Sequence, residues 1–151
     1  MEAADAKWFD EVAFPALLRG ARRTYGAAIR EALSDVGCDD VPSNGAYVIG
    51  AIARTGAPLG EVIKDLGVSK QAGGQLVDTL VTRGYIDRAV DRGDRRRLTI
   101  SLTERGLAAA AVIRAAVERV DAELVARVGP EYVAHARATL ASLVEGNRDG
   151  E

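Results

Sequence analysis

The stretch from Gly84 to Leu102, GYIDRAVDRGDRRRLTISL, limits what this chain can fold into more than any other segment. Two short runs suited to strands, Tyr85-Ile86 and Leu98-Thr99-Ile100-Ser101-Leu102, flank a tip reading Asp91-Arg92-Gly93-Asp94-Arg95-Arg96-Arg97. That pattern predicts a β-hairpin with a charged connection. From Arg83 to Arg97 six arginines stand against three aspartates, a local net of +3 in a chain whose formal net charge is −2. Such a tip can enter a DNA groove, where guanidinium groups meet phosphate and the negative potential of a narrow minor groove. The plainer alternative is a solvated turn with Asp–Arg pairs, each contributing little.

The preceding segment, Leu59 to Arg83, divides into two helices with a tight turn between them. The first, about Leu59 to Leu66, places Val62, Ile63 and Leu66 on one face. Gly67 supplies the left-handed residue that ends a helix, and Val68 packs behind it. Ser69 is a good N-cap for the second helix, because its hydroxyl can accept an otherwise orphan backbone N–H. That helix is expected to bury Leu76, Val77, Leu80 and Val81 at helical spacing. Its first turns offer Lys70, Gln71 and Gln75 with small Ala72, Gly73 and Gly74 between. This is the layout of a helix-turn-helix, whose second helix reads base edges in the major groove. Gln can pair bidentately with adenine, while Lys serves guanine or phosphate. The two glycines either permit close approach to DNA or a neighbouring helix, or leave the helix loose.

Helix, helix and Arg-tipped hairpin together make a winged helix-turn-helix, and here the chain resembles the MarR family of bacterial transcriptional regulators. The resemblance rests on Leu66-Gly67-Val68-Ser69, on Leu80-Val81-Thr82-Arg83-Gly84-Tyr85-Ile86, and on Asp91 to Arg96 followed by Leu102-Thr103-Glu104-Arg105-Gly106. In family members the wing commonly reads Asp-x-Arg-Asp-x-Arg. Here Gly93 stands where the first of those arginines is usual, so that residue's role does not carry over. Arg92 or Arg95 is expected to take it, with Arg96 and Asp91 or Asp94 bracing the loop. The resemblance also implies that the terminal helices of two subunits interlock, and that a small molecule bound between dimer helices and reading head alters the spacing of the heads. Trp8, Phe14, Tyr25 and Tyr47 are conceivable walls for such a ligand, although aromatics at helical positions more often belong to a core.

The rest of the chain fits that frame. Its 151 residues suit one domain plus an oligomerisation element, and 48% hydrophobic residues are enough to bury a core. A net charge of −2 argues against a surface coated uniformly for nucleic acid, while permitting one local basic surface. No apolar run approaches the length of a membrane span, and the acidic opening MEAADAKWFDE lacks a signal-peptide core, so a cytoplasmic protein is expected. A helix from about Asp10 to Val36 carries Val12, Leu17, Leu18, Tyr25, Ile29 and Leu33, with Pro15 tolerable only near its first turn. A shorter one, about Ser43 to Arg54, links it to the reader. Thr103 can cap a long helix to about Val128, in which Ile113, Val117, Val120 and Leu124 form an a/d-like seam. Gly129-Pro130 breaks it before a last helix, about Glu131 to Val144. The alternative to a dimer is a monomer folding that seam on itself.

Cys38 and His135 are the sole residues of their kinds. Asp39 and Asp40 beside Cys38 disfavour the reactive thiolate and no second cysteine can resolve an oxidised one, so an inert thiol is expected. A lone His makes a poor metal site or base. No phosphate-cradling loop, metal-ligand cluster or nucleophile elbow is present, so neither an enzyme nor a cofactor is expected.

The expected fold is therefore mostly α with a small β-hairpin wing, a winged helix-turn-helix with N- and C-terminal dimerisation helices. Residues 1–42 and 103–151 would supply the dimer and 43–102 the reader. The expected function is that of a homodimeric repressor on near-palindromic double-stranded DNA, relieved by a small-molecule effector. Ser69, Lys70, Gln71 and Gln75 would work in the major groove and Arg92, Arg95 and Arg96 from the wing. The alternative is a winged-helix protein-interaction module that docks an acidic partner on the same surface.

Overall fold

A computed structural model of the chain describes residues 8–56, 58–90, 93 and 98–148. Its elements run α1 (Phe14–Asp35), α2 (Gly45–Thr55), α3 (Leu59–Leu66), α4 (Lys70–Thr82), β1 (Ile86–Val90), β2 (Leu98–Leu102), α5 (Glu104–Val128) and α6 (Pro130–Arg148). The chain divides into two compact units, Met1–Ala116 and Val117–Glu151.

The first unit holds the core. Leu33 from α1, Val48, Ile49 and Ala51 from α2, Val62 from α3, Val77 and Leu80 from α4, Ile86 from β1 and Ala109, Ala110 and Ile113 from α5 pack together with Cys38 and Tyr85. Five elements of helix thus each contribute one apolar stripe, as helical periodicity demands. Small alanines on the α5 side let that helix lie close. The expected inner face of α4 holds in graded form: Val77 and Leu80 are buried, whereas Leu76 and Val81 are half-buried against the same cluster.

α1 starts at Phe14 rather than at Asp10, because Pro15 must occupy the first turn, where its missing N–H and fixed φ do no harm. Residues 8–11 form turns and Val12, expected on this helix, lies in a bend before it. α2 is entered through Asn44, held at φ 62°. Arg22 of α1 donates from Nη2 to Asn44 Oδ1 at 3.1 Å and so ties this strained residue to the first helix. The hairpin is antiparallel, with Ile86 opposite Leu102, Arg88 opposite Ile100 and Val90 opposite Leu98. Its first strand begins one residue after Tyr85, which is fully buried beneath it.

In the second unit α6 runs to Arg148, past the expected end near Val144. Arg137 Nη2 donates to Asp121 Oδ2 at 2.7 Å, pairing α6 with the last turns of α5. Tyr132, Leu140, Leu143 and Val144 of α6 are exposed, as is Leu124 of the α5 seam. Among the described residues, no helix is long and apolar enough to cross a membrane.

Candidate nucleic-acid interface

The helix-turn-helix is built on a tight turn between α3 and α4. Gly67 ends α3 at φ 66°, a conformation that costs a residue with a Cβ. Two residues later Ser69 caps α4: its Oγ accepts the backbone N–H of Ala72 at 3.1 Å. Gly73 then brings the helices together, since a Cβ there would lie 2.4 Å from Ile63 Cγ2 of α3. A Cβ on Gly74 would meet nothing within 4 Å. The two glycines therefore do different work, and only the first is required by helix packing.

With Val77 and Leu80 fixed in the core, the opposite face of α4 is set. Ser69, Lys70, Gln71, Gly74, Gln75 and Asp78 are all exposed. Spacings of three and four residues put Gln71, Gln75 and Asp78 in one row and Lys70, Gly74 and Asp78 in another. All four residues singled out on this helix by sequence thus share one solvent-facing surface. The wing residues Asp91, Arg92, Asp94, Arg95 and Arg96 lie outside the described residues. The hairpin leading to them is held against α4 by an ion pair, Arg88 Nη2 to Asp78 Oδ1 at 2.6 Å.

A second polar cluster clamps the base of the hairpin, and sequence reading did not find it. Asp40, in the connection from α1 to α2, accepts from the Tyr85 hydroxyl through Oδ1. The Arg105 guanidinium grips the same carboxylate with both arms, Nη2 to Oδ1 at 2.9 Å and Nη1 to Oδ2 at 3.3 Å. Arg105 also covers the Tyr85 ring, with Cζ 4.3 Å from its centroid. Arg83, the C-cap of α4, donates to the Asp40 carbonyl, and its own carbonyl accepts from Arg105. The Tyr85 hydroxyl, and then Arg105, hold the Asp40 carboxyl below its usual range against partial desolvation. Burial, and then the Asp40 carboxylate, push the Tyr85 phenol up.

Thr103 completes the clamp. Its Oγ1 donates to the Gly84 carbonyl at 2.6 Å and accepts the Gly106 N–H at 3.0 Å, capping α5 while gripping the end of α4. Gly106 follows from this closeness: a Cβ there would sit 2.0 Å from the Tyr85 carbonyl oxygen. Asp40 and Arg105 are 65 positions apart, so no local pattern announces their pairing.

The remaining candidates are dispersed. Trp8, Phe14 and Tyr47 are exposed rather than core residues, and Trp8 meets Phe9 edge to face at 5.8 Å. A hollow of about 250 Å³ opens elsewhere, lined by Arg30, Leu33, Ser34, Cys38, Asp39 and Val41. Cys38 is buried and unbridged. His135 is exposed on α6. No group of His, Cys, Asp and Glu able to hold a metal occurs among the described residues.

Comparison with known proteins bears on the fold. Residues 39–97 match the family model described as MarR family, a range that includes α2, α3, α4 and β1. Similar solved structures include S. aureus MepR in complex with DNA, 19% identical with a TM-score of 0.71, covering 90% of this chain and 99% of that one. The transcriptional regulator PA4135 is 19% identical with a TM-score of 0.70, covering 89% and 98%. S. aureus MepR bound to ethidium bromide is 20% identical with a TM-score of 0.54, covering 91% and 98%. At that identity the likeness establishes the fold. No curated protein matches the chain by sequence.

Proposed function

We propose that this chain, whose residues 39–97 match the MarR family, is a homodimeric, sequence-specific DNA-binding transcriptional regulator of that family. The observation that carries the reading is the exposed row on α4, where a capped helix turns Ser69, Lys70, Gln71 and Gln75 outward from a core-anchored back. Gln71 and Gln75 are suited to base edges, and Lys70 to phosphate or guanine. Arg92, Arg95 and Arg96 of the wing add minor-groove and phosphate contacts, with Asp91 and Asp94 bracing the loop. Two-fold symmetry sets two such heads about one DNA turn apart, on a near-palindromic operator. Support for the dimer comes from the exposed apolar residues of α6. The regulator works in the cytoplasm as a repressor, and a small molecule releases it. MepR, with the same fold, has been solved both with DNA and with ethidium bromide, which supports the DNA and effector parts of the reading.

The test is fluorescence-anisotropy titration of the purified protein with duplex DNA from upstream of its own gene and with a scrambled duplex, across salt. Nanomolar binding that exceeds the control by about a thousandfold is expected, the range of specific recognition. Absence of binding to either duplex at low salt would overturn the DNA reading. It would favour a winged-helix module that docks an acidic protein.

A further inference from the structure

The outward row of α4 contains one residue of the wrong charge for its surroundings. Asp78 follows Lys70 by eight positions, about 12 Å along the helix axis, on the face that the proposed function turns toward DNA. A bare carboxylate there repels every phosphate it approaches. It is not bare: Arg88 of β1 reaches it at 2.6 Å. The side chains remain 39% exposed at Arg88 and 66% at Asp78, so the pair adds little to folding. Its position says more. It bridges the far half of α4 to the strand that leads into the wing. When α4 lies in a major groove and the wing in the adjacent minor groove, the sugar-phosphate strand that separates the two grooves crosses this junction.

We propose that Arg88 is a phosphate-contacting residue and that Asp78 is its positioning residue. The proposal rests on the reading of α4 as the recognition helix. A guanidinium carries five N–H donors in a rigid fork. Asp78 engages one edge of that fork, leaving further donors for a phosphate oxygen. The carboxylate fixes the arginine's rotamer before DNA arrives, so less conformational freedom is lost on binding. Phosphate contact by Arg88 also sets how deep the helix sits and at what angle the hairpin meets the neighbouring groove.

The sign of one substitution separates this arrangement from a chance surface pair. Asp78→Asn removes a negative charge from the DNA-facing surface, and electrostatics alone would tighten binding. If Asp78 positions Arg88, the same change weakens binding severalfold. The experiment titrates the full-length wild type, Asp78→Asn, Arg88→Ala and the double variant against the upstream and the scrambled duplexes at several salt concentrations. Arg88→Ala is expected to weaken both duplexes alike and to lower the magnitude of the salt slope by about 0.9, the counterion release of one phosphate contact. In the Arg88→Ala background, Asp78→Asn is expected to change sign and tighten binding. Thermal melts of the four proteins should agree within a few degrees, which excludes unfolding as the cause. Tighter binding by Asp78→Asn alone, or an unchanged salt slope for Arg88→Ala, would overturn the assignment. If the wild type binds neither duplex at low salt, the recognition-helix reading falls and this proposal with it, a result distinct from the other two.

Discussion

Adjacent glycines, Gly73 and Gly74, show how much one methyl group decides. In an exposed helix interior each should cost roughly 1 kcal/mol relative to alanine. For Gly74 nothing offsets that cost in the protein, since its missing Cβ faces open space. For Gly73 the missing Cβ is what lets Ile63 pack, and Ile63 is β-branched with little freedom to retreat. Gly74→Ala is therefore expected to stabilise by up to about 1 kcal/mol, raising the melting temperature by roughly 2–4 °C. Gly73→Ala is expected to lower it, because overpacking of about 1–3 kcal/mol exceeds the gain in helix propensity. Circular-dichroism melts of the two variants check both signs, and equal shifts would contradict the packing described. If Gly74→Ala also weakens DNA binding while stabilising the fold, the open space is reserved for DNA. The sequence exposed the paired glycines but not their difference, because spacing along one helix does not reveal which side a second helix occupies.

Between elements, legibility followed the range of the forces involved. The α3–α4 turn was readable because Gly67 and Ser69 act through their own backbone neighbourhood. The start of α1 was misjudged because apolar spacing continues upstream while Pro15 overrules it, and the strand after Ile86 was missed because its charged residues hide the alternation. The Asp40–Tyr85–Arg105 clamp was invisible, since its parts come from the α1–α2 connection, the edge of the hairpin and the first turn of α5. Its electrostatics make a pH-dependent expectation. Asp40 has a folded pKa below its reference value of 3.8, so its contribution is complete above that value and is lost as pH falls through the folded pKa. Tyr85 has a folded pKa raised above 10.0, so its contribution is complete below that value and is lost as pH rises through the folded pKa. Because 40% of the Asp40 side chain is exposed, water screens the acid effect and keeps it modest. Asp40→Asn should flatten the acid limb of stability against pH and Tyr85→Phe the alkaline limb. Urea unfolding across pH reads both, and a wild-type acid limb retained in full by Asp40→Asn would show that the clamp does not carry it.

For the whole molecule, the decisive quantity is the apolar surface that one chain leaves in water. On α6, Leu140, Leu143 and Val144 recur at three and four residues and all are exposed, with Tyr132 exposed one end along. Monomers seldom leave contiguous apolar patches uncovered, and a stripe of this spacing is what a second helix covers. Spacing along one helix shows that such residues share a face, but it carries no local signature of what covers them. Leu143→Glu places a charge in the middle of the stripe at a side chain that is exposed in the single chain. The wild type is expected to sediment at twice the monomer mass, and Leu143→Glu at the monomer mass with helical content retained. On the proposed dimeric reading, operator binding then falls by on the order of a hundredfold or more, because two linked heads would become two independent ones. Binding to a half-site should change little, since each head keeps its own α4 and wing. A loss on the full operator that spares the half-site ties affinity to the pairing of heads. A Leu143→Glu variant that stays dimeric would place the subunit contact on other residues. A wild type that is monomeric yet binds the full operator tightly would remove the dimer from the mechanism altogether.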